Sequence, residues 1–230
     1  MLKKWLKKND VSTWRTAVSA LRREYTGEPL TEENSGDDPI KLFDRWFDEA
    51  AKSAMFDANS FVLSTVDSEH KPHSRIVLLK GFEENGFVFF TNYESAKCQD
   101  IFENPFVSVN FNWPELFRQL RIEGVAEKTS SEESDAYFAS RPRKSNLSAL
   151  ASAQSSKISG REELEENYNT LDKQWAGQKE IKRPENWGGI RIKPTKFEFW
   201  QGRTGRLHDR IVFEKPNENE ANWEKYRLAP

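Results

Sequence analysis

Arg206-Leu207-His208-Asp209-Arg210 places two arginines and a histidine at alternate positions, just after Trp200-Gln201-Gly202. In an extended segment Arg206, His208 and Arg210 share one face, and Leu207 and Asp209 take the other. Three potential cations on one face repel each other unless an anion lies between them. A solvated charged edge is the competing reading, and the rest of the chain decides between them by how many other anion-binding residues it supplies.

It supplies several. Arg75-Ile76-Val77-Leu78-Leu79-Lys80 begins and ends in a cation. On a regular strand Arg75 and Lys80 face opposite sides, so they serve two anions, or one is an ordinary edge charge. Phe90-Thr91-Asn92 is followed by Ser95-Ala96-Lys97 at a helix start. Hydroxyls, an ammonium and free N–H groups gather there, where a helix dipole favours negative charge; a plain N-cap at Ser95 is the simpler alternative. Tyr137, Arg141 and Ser145 are spaced by four, with Pro142 stopping the helix. A guanidinium fork between two hydroxyls matches phosphate oxygens. Gln154-Ser155-Ser156 adds amide and hydroxyl donors. Together these residues point to two phosphate sites and a flat, aromatic-sized ligand.

Composition narrows the class. The chain has 230 residues and a formal net charge of -2, with a sequence pI near 6.1. That balance argues against bulk nucleic-acid binding, which needs a basic face. Sixteen Phe and eight Trp supply a core and surfaces for stacking. The lone Cys98 excludes an intrachain disulfide and reads as a small apolar helix residue, so nothing implies an oxidising compartment and a cytoplasmic setting is expected. No His/Cys/carboxylate cluster has metal-site spacing, so no metal is expected; His70 and His73 sit in a turn-like run. No apolar run approaches membrane-spanning length. Basic Met1 to Lys8 is read as a frayed or docked helix rather than a targeting peptide, because Asp10 follows at once without a cleavage pattern.

The elements that position these residues are legible in period. Val11 to Tyr25 reads as a helix and Thr26 to Asp38 as a loop, so 1–38 forms an N-terminal arm ahead of a single domain over 39–230. Asp38-Pro39 caps a helix that buries Leu42, Phe43, Trp46, Phe47 and Ala50 along one stripe. Strands are expected over Phe61 to Val66, Ser74 to Phe82, Phe87 to Asn92, Phe106 to Trp113 and Phe117 to Lys128. Further strands follow over Trp187 to Ile192, Lys196 to Gln201, Arg206 to Glu214 and Asn222 to Leu228. Helices are expected over Ser95 to Asn104, Ser130 to Ser140 and Gly160 to Trp175. Many short strands joined by turns, with helices inserted late, make a mainly β, α+β fold: an antiparallel barrel with peripheral helices.

The motifs Arg-Ile-Val-Leu-Leu-Lys, Phe-Thr-Asn, Tyr-Phe-x-Ser-Arg-Pro-Arg, Gln-Ser-Ser, Trp-Gly-Gly, Glu-Phe-Trp-Gln-Gly, Arg-Leu-His-Asp-Arg and terminal Arg-Leu-Ala-Pro occur in this order. In them the chain resembles the pyridoxamine 5′-phosphate oxidases from about Arg22 to Pro230. The resemblance implies an FMN-binding split β-barrel, working as a homodimer with FMN in the subunit interface. It implies oxidation of pyridoxamine 5′-phosphate and pyridoxine 5′-phosphate to pyridoxal 5′-phosphate. Hydride would pass from the substrate C4′ to FMN N5, O2 would reoxidise the flavin to give H2O2, and ammonia would leave from the amine substrate. FMN contacts carry over to Arg75, Ile76, Lys80, Phe90, Thr91, Lys97, Gln119, Gln154, Ser155, Trp200 and Arg210. The substrate phosphate carries over to Lys80, Tyr137, Arg141 and Ser145, and catalytic positions beside the substrate ring to Arg206 and His208. Arg22-Arg23-Glu24-Tyr25 matches a segment that closes over the site, which brings Arg22 and Tyr25 to the substrate.

The chain departs from that pattern in places. Ala96 stands where the family has arginine, Phe90 where it has tyrosine, and Leu147-Ser148-Ala149-Leu150 where it has Ile-Gly-Ala-Trp. Two other readings follow: a flavin oxidase of the phenazine-biosynthesis type, which the retained Tyr137, Arg141 and Ser145 argue against, and a non-enzymatic carrier of FMN or vitamer.

Overall fold

The computed structural model describes residues 23–53, 57–178, 180–217, 220 and 222–230. Asp38 opens helix α1 (Pro39–Lys52): its carboxylate accepts from the N–H groups of Ile40 and Lys41, and Pro39 fills the first turn. The stripe Leu42, Phe43, Trp46 and Ala50 is buried. Phe43 packs edge-on against Phe82 and Phe87, and Trp46 edge-on against Phe199. Each such side chain contributes roughly 1.5–3 kcal/mol on burial, so α1 closes the apolar interior of the sheet.

The strands are β1 (Ser60–Val66), β2 (Pro72–Leu78), β3 (Gly81–Glu83), β4 (Gly86–Asn92), β5 (Phe106–Trp113), β6 (Arg118–Lys128), β7 (Trp187–Gln201), β8 (Asp209–Glu214) and β9 (Glu224–Arg227). They form one sheet in the order β2-β1-β5-β6-β7-β4-β3, with β8 on β7 and β9 on β8; the strand pairings are antiparallel. Helices α2 (Ala96–Glu103), α3 (Ser131–Ser140), α4 (Arg143–Ala151) and α5 (Arg161–Gln174) lie between strands.

The split of the barrel has a local cause in β7. One edge of β7 pairs with β6 along its length. The other pairs with β4 through Trp187–Ile192 and with β8 through Lys196–Gln201. Where that partner changes, Pro194 stands in the strand and the β6 register shifts between Glu123 and Gly124. A Cβ on Gly124 would lie 2.3 Å from the Lys193 carbonyl oxygen, so only glycine permits this approach. The two strands expected across Pro194 are therefore one bent strand.

Other boundaries also differ from expectation. The strand expected over Ser74 to Phe82 breaks between β2 and β3, where Leu79 N–H donates to Asn59 and Lys80 N–H to Val88. The segment expected to extend from Arg206 instead turns: Thr204–Arg206 is a 3-10 turn, with Gly205 at φ 63 and Arg206 at φ 62. The helix carrying Tyr137 does end just before Pro142, at Ser140 with Arg141 as its C-cap; the sequence reading did not include helix α4, whose N-cap is Pro142, its carbonyl accepting from the N–H groups of Ser145 and Asn146. Of the helix expected over Val11 to Tyr25, positions 11–22 lie outside the described residues, and 23–25 carry no regular secondary structure. Among the described residues no helix is long and apolar enough to cross a membrane.

Candidate active site

At the start of β7, Trp187 and Gly188 pair with Asn92 and Thr91 of β4. Gly188 is needed there because a Cβ would lie 2.1 Å from the Tyr93 hydroxyl. A cavity of about 550 Å³ opens beside this pairing, lined among others by Arg75, Lys80, Phe90, Lys97, Gln154 and Ser155. Ile76, Thr91, Tyr137 and Arg141 line it too. Arg75 and Lys80 thus reach one space. The alternation that would part them fails because the chain leaves the strand at Leu79, between β2 and β3.

The floor of the cavity is cationic. Lys97 is 8% exposed, and its Nζ donates to the hydroxyls of Thr91 (3.1 Å) and Ser95 (3.0 Å). It makes no ion pair among the described residues, so a buried ammonium rests on neutral partners. Burial lowers its pKa from the usual lysine value, and neighbouring Arg75 adds to this. Arg75 Nη1 donates to Thr65 Oγ1 at 2.7 Å and to the Leu63 carbonyl at 3.3 Å. Ser95 does not cap α2: its hydroxyl donates to the Asn92 carbonyl. The Gln154 amide oxygen accepts from Thr91 Oγ1 at 3.1 Å, which ties the 152–155 loop to the floor. A cation pair with an uncapped helix start and an amide overhead fits an anion of phosphate size.

A second cationic corner adjoins it. Tyr137 lies on α3, Arg141 is the α3 C-cap, and Ser145 is in the first turn of α4. The three come from a two-helix corner rather than from one helical face. Arg141 donates from Nη1 to Asn146 Oδ1 (3.2 Å) and from Nη2 to the Ser145 carbonyl (3.1 Å). Its guanidinium lies 4.5 Å over the Trp187 ring. Burial disfavours its charge, and burial also raises the Tyr137 pKa. Phe90 stacks on Tyr137 with ring centroids 3.8 Å apart, and Trp187 lies near-parallel to both. A larger neighbouring hollow of about 840 Å³ continues past Arg141 and Ser145 along α4 and α5. Trp187 and Asn146 were not singled out by sequence; the Trp-Gly-Gly motif and a polar residue five positions after Arg141 were the available signals.

The remaining candidates lie elsewhere. Gln119 pairs with Trp200, and Trp200 with Arg210, toward the far end of β6 and β7. Tyr25 meets Trp200 and His208 edge-on. His208 Nδ1 accepts from the Arg203 N–H. Arg206 is exposed in the turn, and with it the common face expected of Arg206, His208 and Arg210 is lost. Arg210 pairs with Glu198 and donates to the Ala229 carbonyl. From Trp187 to Trp200 a strand extends up to about 40 Å, and neither cavity beside Trp187 includes Gln119, Trp200, Arg206, His208 or Arg210. Arg22 lies outside the described residues.

The family model described as pyridoxamine 5′-phosphate oxidase matches residues 47–201. A second, described as the pyridoxine 5′-phosphate oxidase C-terminal dimerisation region, matches 187–230. A pyridoxine/pyridoxamine 5′-phosphate oxidase of Leptospira biflexa is 53% identical over 213 residues, 93% of this chain and 99% of the relative. That of Rubrobacter xylanophilus is 47% identical, over 94% of this chain and 98% of the relative. The chloroplastic enzyme 1 of Arabidopsis thaliana is 48% identical over 93% of this chain and 40% of its own length. Among solved structures, PhzG of Burkholderia lata, in complex with tetrahydrophenazine-1-carboxylic acid, superposes with a TM-score of 0.81 at 25% identity. It covers 89% of this chain and 100% of PhzG.

Proposed function

The chain belongs to the pyridoxamine 5′-phosphate oxidase family, and on that premise we propose that it oxidises pyridoxine 5′-phosphate and pyridoxamine 5′-phosphate to pyridoxal 5′-phosphate with FMN as cofactor and O2 as electron acceptor. Relatives at 47% and 53% identity carry that activity in their names, against 25% for the phenazine-type protein. The observation that carries the cofactor reading is Lys97, a buried ammonium without a carboxylate partner among the described residues, beside Arg75 in an open cavity. A phosphate there supplies the missing counter-charge, and a flavin supplies the hydride acceptor that no side chain can provide.

The chain's own residues bind and orient. Arg75, Lys97, Thr91, Gln154 and Ser155 hold the FMN phosphate end, and Ile76, Lys80 and Phe90 border the same space. Tyr137, Arg141 and Ser145 take the substrate phosphate, with Lys80 between the two anions. Arg141 is already oriented by Asn146 and Trp187, so little side-chain freedom is lost on binding. Arg206, His208 and Tyr25 border the substrate ring, and Gln119, Trp200 and Arg210 complete the flavin site.

These last groups stand at the opposite end of β7, so they serve the same ligands by coming from a second copy of the chain. The exposed strand β2, with Ile76 at 72% and Leu78 at 40% exposure, offers an apolar edge for that association. Purified protein is expected to be yellow, to bleach with pyridoxamine 5′-phosphate without air, and to recover colour when air returns. Protein that binds FMN but stays coloured under those conditions would refute the oxidase reading.

A further inference from the structure

Two residues that carry no part of the proposed binding set stand behind Arg75. Asp100 lies one helical turn after Lys97 on α2, is 8% exposed, and accepts a hydrogen bond from Thr65 Oγ1 at 2.5 Å. Thr65 is fully buried at 0% exposure in β1. Its hydroxyl oxygen is also the 2.7 Å acceptor for Arg75 Nη1. Arg75 Nη2 stands 3.8 Å from Asp100 Oδ2.

The direction of this relay is fixed by chemistry. A guanidinium only donates and a carboxylate only accepts. The single hydroxyl proton of Thr65 therefore goes to Asp100, and its lone pairs face Arg75. Valine at position 65 has the same shape and can do neither. The relay links α2, β1 and β2, the three elements that bring Lys97 and Arg75 together.

We propose that Asp100 and Thr65 are positioning residues for the flavin phosphate, holding the Arg75 guanidinium in place before the ligand arrives. This rests on the reading of Arg75 and Lys97 as the FMN phosphate cradle. An arginine free to rotate gives up conformational freedom on binding, whereas one held at two atoms has already given it up. The departure at Ala96 makes this more consequential, because the cradle holds one guanidinium where the family pattern has two.

The test uses the full chain stripped of flavin and titrated with FMN and with riboflavin, which lacks the phosphate. Thr65→Val is expected to lower FMN affinity about tenfold, the scale of one weakened charge-assisted contact, with riboflavin affinity unchanged. Thr65→Ser and Asp100→Asn, which preserve the hydroxyl and an oxygen acceptor, retain the wild-type preference for FMN. Should Thr65→Val not fold, Asp100→Ala against Asp100→Asn makes the same comparison, with the preference lost only in alanine. Unchanged FMN affinity in Thr65→Val, or equal losses for both flavins, would overturn the positioning role. A wild-type chain that binds FMN no better than riboflavin would instead overturn the phosphate cradle itself, and the inference with it.

Discussion

The backbone N–H of Arg203 donates to Nδ1 of His208 at 3.1 Å. An accepting Nδ1 places the proton of the neutral ring on Nε2. The turn at Thr204–Arg206 makes this possible by folding Arg203 back onto the ring. His208 therefore presents a donor, not a base, from its free nitrogen. Nitrogen-15 NMR of the neutral ring is expected to show a protonated Nε2 and an unprotonated Nδ1. His208→Asn, whose amide oxygen can replace Nδ1, should keep the turn yet lower kcat on the order of 10²-fold. Wild-type turnover in that variant would remove His208 from the site.

Arg141→Ala is expected to raise KM for phosphorylated substrate. Loss of a desolvated charge pair costs about 2–5 kcal/mol. Because Arg141 also bonds Asn146 and the Ser145 carbonyl, a thermal melt should accompany the kinetics. A lower Tm with unchanged KM would show that the arginine only braces the α3–α4 corner.

Ala96 is exposed at the start of α2 and lines the cavity beside Lys97. Ala96→Arg is expected to slow FMN release, by a contact worth roughly 1.5–3 kcal/mol, with little change in substrate KM. Stopped-flow release of FMN measures it; equal or faster release would mean that another residue already fills this role.

FMN is expected to favour the dimer by linkage if two copies share the site. Sedimentation over a dilution series, with and without FMN, reads this directly. Ile76→Asp on the exposed edge strand should shift the distribution toward monomer and weaken FMN together. A monomer that holds FMN normally would exclude the shared site.

Glu32 bonds Arg227, which also bonds Asp209, and so ties the segment before α1 to β9 and β8. The Arg227 bond lowers the Glu32 pKa from 4.5 to about 2. A depressed carboxylate pKa gives stability that is present above 4.5 and lost as pH falls through about 2. Melting curves between pH 5 and 2 should therefore fall less steeply for Glu32→Gln than for wild type. Parallel curves would show that this pair does not contribute.

Local signals carried much of the outline. Asp38-Pro39 and the Leu42, Phe43, Trp46 spacing marked α1 because capping and a buried stripe are properties of neighbours in sequence. The same holds for β5, whose bounds at Phe106 and Trp113 agree with expectation. A regular period does not carry across a turn: strand alternation parts Arg75 from Lys80 and aligns Arg206 with His208 and Arg210 only in an unbroken strand, and the chain turns at Leu79 and at Gly205.

Residue types and their order were enough to determine the family and the mainly β class, since these depend on composition, period and motif. Only the tertiary structure decided that Lys97 is buried without an ion-pair partner among the described residues, that Asp100 reaches Arg75 through Thr65, and that the candidate residues divide between the two ends of β7. Those facts depend on which distant segments β-pairing brings into contact: Thr65 and Asp100 are 35 positions apart, and no local pattern encodes their meeting.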